Sequence, residues 1–116
     1  METSVFNRFI HDVVANESVW LLQAMDGMFA MVESADRKSF LAVWDRESDA
    51  QKAASDEWQD YSIVHMDLTE WIHWLNEMAE DEAWIGVCPD EDGRILPVEA
   101  AKLLEILVGE RKAQRN

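Results

Sequence analysis

Four stretches of this chain carry apolar residues at helical spacing, and they alternate with five short runs of bulky or β-branched residues. That alternation suits neither an all-helical bundle nor an all-strand sandwich; it predicts a sheet with helices packed on it. Residues 4 to 16 place Phe6, Phe9, Ile10, Val13 and Val14 on one stripe, with Arg8, His11 and Asp12 opposite and Thr3 or Ser4 available as N-cap. Trp20 to Ala24 and Met28 to Val32 flank Asp26-Gly27, the pattern of a β-hairpin about an Asp-Gly turn. A polar turn from Glu33 to Lys38 leads to a third strand, Phe40 to Trp44, and three strands so closely connected imply an antiparallel meander.

In the second half, Ser48 and Gln51 have the spacing of a capping box and open a short Ala-rich helix to about Glu57. Ile63 to Met66 reads as a strand, and Asp67, with Glu70 three residues on, starts a helix with Leu68, Trp71, Ile72, Leu75, Met78 and Ala79 on its core stripe. Trp84 to Cys88 is an apolar strand closed by Pro89, and Asp92-Gly93 makes a turn. Pro97 fits the entrance of a last helix that buries Ala100, Leu103, Leu104, Leu107 and Val108, with Gly109 ending its packed part. The expected order is α-β-β-β-α-β-α-β-α. This is a single α+β domain over residues 1–110, an antiparallel or mixed sheet of about five strands with helices on it, followed by a polar tail, 111–116.

A chain of 116 residues that is 48% hydrophobic can fill one core without metal or disulfide help, and the lone Cys88 cannot form an internal disulfide. No apolar run approaches the length of a membrane span, and METSVFNRFIHD lacks a basic region followed by an apolar one. We therefore expect a cytoplasmic protein with no membrane partner. The net charge is −14, and it is lopsided: between Asp45 and Asp92 fifteen acidic residues face only Arg46 and Lys52. Such a field opposes direct nucleic-acid binding, which relies on Lys and Arg, and it attracts basic partners. Part of the surplus has a structural use, since Asp49, Asp67, Glu70 and Glu99 stand near helix starts, where the helix dipole favours negative charge.

The residues Trp20, Asp26-Gly27, Val43-Trp44, Ala50, Trp58, Tyr61, Leu68, Trp71, Leu75 and Val87-Cys88-Pro89 resemble an uncharacterised bacterial family, the domain of unknown function numbered 2750. The similarity runs over nearly the whole chain. It departs at Asp45, where the family pattern often has Pro, and at Cys88, where an aromatic residue is common. The resemblance implies a small bacterial cytoplasmic protein, and it transfers no catalytic residue.

The residues themselves point to little catalytic chemistry. His11, His65, His73 and Cys88 have none of the spacings of a zinc site, and the four glycines draw neither a phosphate-binding loop nor a dinucleotide fingerprint. No serine stands in a nucleophile elbow, and Cys88 at the end of an apolar strand reads as a buried, unreactive thiol. His65 and Asp67 suit a local hydrogen bond at a helix start. Asp90-x-Asp92 begins a calcium loop that Ile95-Leu96-Pro97 does not continue. No cofactor or metal is expected.

The sharper feature is on the helix from Asp67. His73 projects opposite the core stripe, whereas Trp74 lies about 100° from its centre, beside Glu70, Glu77 and Asp81. A partly exposed Trp among carboxylates offers apolar area and a cation–π face to an Arg- or Lys-rich surface. A covering loop, the neighbouring helix or the mate in a homodimer would equally satisfy that ring. Two functional expectations follow. The first is a non-enzymatic interaction protein that binds a basic protein partner through Trp74, Glu70, Glu77 and Asp81, an immunity protein against a basic toxin being one form. The second is a small-molecule-binding or hydrolytic domain whose cleft, between the sheet and the Trp71-bearing helix, is lined by aromatics and carboxylates.

Overall fold

A computed structural model describes residues 2–33, 38–56, 58–89 and 95–115. Among them the chain forms α1 (Glu2–Asn16), β1 (Ser18–Gln23), β2 (Met31–Glu33), β3 (Ser39–Val43), α2 (Glu47–Asp56), β4 (Ser62–Asp67), α3 (Leu68–Glu80), β5 (Trp84–Val87), β6 (Leu96–Glu99) and α4 (Ala100–Arg115). The α+β class and the element order follow the sequence reading, with β6 added before the last helix. The Asp92-Gly93 turn and most of the Glu33 to Lys38 turn lie outside the described residues.

The strands pair as a mixed arrangement. β1 runs antiparallel to β4, and a four-stranded sheet has the order β2-β3-β5-β6, in which β3 and β5 are parallel and the other pairs antiparallel. The expected meander is therefore only partly formed. The hairpin closes through Ala24 N–H to the Met28 carbonyl (2.8 Å) and Ala30 N–H to the Leu22 carbonyl (2.9 Å), with Gly27 at φ +91° and the Asp26 carboxylate accepting from Met28 N–H. At Ala30 the strand changes partner, because its carbonyl accepts from Ala42 N–H instead of returning to β1. β1 is then free to take β4 as its ladder, and reciprocal Trp20 and Trp44 backbone bonds of 2.9 Å tie it to the end of β3.

Both faces of the sheet are covered. Val19, Leu21, Leu41, Val43, Ile85 and Val87 face a core shared with Phe9 and Val13 of α1, Leu68, Trp71 and Leu75 of α3, and Leu103 and Leu107 of α4. The intervening Leu22, Ala42 and Trp44 pack with Ala30 and with Ala50 of α2. Period-two alternation sends alternate residues to opposite cores, which is why β1 and β3 read as nearly continuous apolar runs. The radius of gyration is 13.4 Å, matching the roughly 13 Å of a packed single body of this length.

Several boundaries differ from the expected ones. Glu2 opens α1, so Thr3 and Ser4 lie inside its first turn. α2 starts at Glu47 with Ala50 N–H donating to the Arg46 carbonyl, which puts Ser48 in the first turn and not at the cap. Pro97 belongs to β6, opposite Gly86, an edge position where a missing N–H costs no ladder bond. A side chain at Gly86 would meet Phe40 Cβ at 3.0 Å and Ile95 Cδ1 at 3.3 Å, so glycine lets the strands approach there. α4 passes through Gly109 without a break and ends at Arg115.

Candidate functional site

α3 begins where Asp67, extended at φ −63° and ψ 146°, accepts from Thr69 N–H at 3.1 Å. From that start Leu68, Trp71 and Leu75 are buried, and Trp74 and Met78, one turn apart, come to the edge of the buried stripe. The hairpin brings Phe29 onto Trp74, with ring centroids 5.1 Å apart and tilted by 55°, while Trp71 packs edge-on to Trp74 at 5.8 Å. Trp74 is thus half-buried, held between the core and the hairpin.

A groove of about 470 Å³ opens beside it. Trp74 and Met78 of α3 form one wall, Leu41 and Trp84 belong to the sheet, and Met28, Phe29 and Met31 come from the hairpin. Met28 is 66% exposed and Met31 45% exposed, and Met25 near the turn is fully exposed. At the start of β3 the Lys38 ammonium lies 5.1 Å from the Trp84 ring centroid, and Glu82, at φ +56°, contributes a carboxylate at the corresponding end of β5. Trp84 also meets Phe40 edge-on at 6.0 Å. The lining has two ionisable residues among the described ones, Lys38 and Glu82.

Of the expected site residues, the structure brings Trp74 into this groove. Glu70, Glu77 and Asp81 are exposed on α3 and at its C-terminal cap and are not part of the lining. Glu77 Oε1 lies 3.8 Å from Nε2 of His73, both exposed. The residues that sequence reasoning passed over are Phe29, the methionines and Glu82. A usable signal existed in the Asp26-Gly27 turn, which must carry Met28 and Phe29 to the rim of whatever the hairpin packs on. His65 also behaves differently from expectation, its ring packing at a 58° tilt against Trp20 at 4.9 Å across the β1–β4 pair while Asp67 serves as the cap.

A second cluster lies where the parallel strands β3 and β5 end. The Asp45 side chain is wholly buried; Arg8 of α1 reaches it with Nε to Oδ2 at 3.2 Å and Nη2 to Oδ1 at 3.3 Å, and also approaches Asp49 at 3.6 Å. The hydrogen bond to Asp45 holds the Arg8 guanidinium above its ordinary pKa, against the opposing effect of burial. The Cys88 thiol donates to Asp45 Oδ1 at 3.4 Å, and Cys88 adopts φ +49° with its N–H bonded to the Val43 carbonyl. Burial and then the Asp45 charge push the thiol up to about 12, so it is neutral at physiological pH. Nearby, desolvation would raise Asp12, but its bonds with His11 and Arg46 help to outweigh that and hold its carboxyl below the usual range. Trp44 Nε1 donates to the Pro89 carbonyl at 3.3 Å and closes the same end of the sheet.

Among the described residues no three His, Cys, Asp or Glu side chains stand together as a metal site, and no helix is long and apolar enough to cross a membrane. Comparison of the chain with curated proteins and with solved structures finds no significant match to either. A family model described as protein of unknown function, DUF2750, matches residues 6–107, from the first helix to the last, and the chain belongs to that family.

Proposed function

We propose that the protein is a cytoplasmic, non-enzymatic interaction protein that binds a basic protein partner on the face carrying Trp74. The observation that supports this most is a half-buried Trp at an open apolar groove, on a helix whose exposed Glu70 and Glu77 lie about one turn to either side of it. Asp81 extends the acids towards Glu82 at the groove itself. Partners rich in Lys and Arg would be steered to such a face by its field and held by aromatic and thioether contact. In a pull-down at low salt, the wild-type chain should retain a basic protein that Trp74→Ala combined with Glu70→Lys and Glu77→Lys releases. If the triple variant retains whatever the wild type retains, this reading fails.

The small-molecule reading keeps one specific support, the groove's volume, which falls within the range of ligand pockets. It concerns binding more than hydrolysis, because Lys38 and Glu82 are the ionisable lining residues described and neither makes a carboxylate pair there.

A further inference from the structure

Resting on the interaction reading, we propose that the groove between α3 and strands β2, β3 and β5 docks an amphipathic helical segment of the partner, with apolar anchors along one face and Lys or Arg along the other. The large hydrophobic side chains left exposed among the described residues are Met25, Met28 and Met31, all within seven residues of the hairpin. Two of them line the groove, and Met78 adds a third thioether from the opposite wall. Leaving such chains in water is unfavourable, and a cluster of them beside two tryptophans forms an apolar surface of the kind that marks a docking site. Methionine is unbranched and polarisable, so this lining can adapt to Leu, Ile or Phe anchors without one fixed shape.

Charge decides what the other face of the segment carries. Glu70, Glu77 and Asp81 lie within about 60° of Trp74 around α3, on the side away from Met78. Glu82 and Lys38 both stand at the groove and offset each other, so the bias comes from these α3 acids and from the whole chain's charge of −14. A segment seated with apolar residues on Met28, Trp74 and Met78 would therefore present its flanking positions to carboxylates, which favours Lys and Arg there. An extended segment added to the sheet is less well served. β2 is the edge strand on this side and is three residues long, too short for backbone bonds to carry the affinity.

The probe is a synthetic amphipathic Leu/Lys peptide of about five helical turns, compared with a scrambled peptide of the same composition and a Leu/Glu peptide of the same periodicity. Titrated into the full chain near physiological salt and followed by tryptophan fluorescence, the Leu/Lys helix should bind one to one, at least about tenfold more tightly than either control, a tenfold step being about 1.4 kcal/mol. Met28→Ser with Met31→Ser should weaken it about tenfold at unchanged melting temperature, since both side chains are already exposed. Equal binding of the scrambled peptide, or no effect of the methionine variant, would overturn the proposal. In that case the pull-down with the Trp74, Glu70 and Glu77 variant still judges the interaction reading separately, because it asks for a basic partner of any shape. A thermal-shift response to uncharged apolar small molecules, with none to the Leu/Lys helix, would also overturn it and favour the small-molecule reading.

Discussion

Asp45 and Cys88 are in contact through a 3.4 Å thiol-to-carboxylate hydrogen bond, and Arg8 completes the set. A buried carboxylate is tolerated only with such partners, because an unpaired one would cost several kcal/mol. The sign of the thiol's contribution follows from its pKa. The unfolded value is 9.0 and the folded one about 12, so its stabilising contribution is whole below pH 9.0 and is lost progressively as pH rises from 9.0 towards 12. At pH 8 the folded thiol should be alkylated by iodoacetamide about a thousandfold more slowly than in the urea-unfolded chain, since three pKa units separate the thiolate fractions. Similar alkylation rates in the two states would refute the burial assigned to Cys88. The unreactive thiol was legible from the apolar strand that Cys88 ends, but its partners were not: Arg8 sits on the polar side of its helical stripe, and nothing in the spacing says that Asp45, 37 residues later, turns inward to meet it.

At the scale of the element, helices were the more legible part because their stripes are local. The stripe of α3 and its start were readable to within a residue, as Asp67 and the Leu68, Trp71, Leu75 series show. Replacing Asp67 by Ala removes the acceptor for Thr69 N–H and should cost about 1 kcal/mol in chemical denaturation, while Asp67→Asn should cost only a few tenths of that. Equal losses in the two variants would mean that charge, and not the cap geometry, is what matters. Strand pairing was less legible because alternation tells which face a residue takes and not which strand lies beside it. β1 looked like one arm of a simple hairpin, yet its ladder is with β4, and β6 was hidden by a proline that suits a helix start as well as a sheet edge. The groove was half legible: Trp74 stood out by its angle, but exposed methionines look in sequence like core material.

Over the whole molecule the charge surplus acts on stability as well as on partners. The body measures 41 by 31 by 28 Å. At 0.01 M salt the screening length of about 30 Å spans it, whereas at 0.1 M it falls to about 10 Å, so self-repulsion among the acids is felt at low salt and mostly silenced at moderate salt. Raising sodium chloride across that interval should raise the melting temperature, by differential scanning calorimetry, and a flat or falling trend would show that the acids are locally compensated. Such compensation exists at Asp12, Asp45 and Asp49, which face Arg8 or Arg46, whereas among the described residues the ion pair found for the exposed acids of α3 is that of His73 with Glu77.

The parallel pairing of β3 with β5 also sets a timetable. Phe40 finds Trp84 across a separation of 44 residues, with α2, β4 and α3 made in between. At the usual 5 to 20 residues per second of synthesis, β3 leaves the ribosome about 2 to 9 seconds ahead of its neighbour. For that interval the nascent chain holds an unfinished sheet, with the Val43 carbonyl waiting for Cys88 and one side of β3 open to any strand that passes.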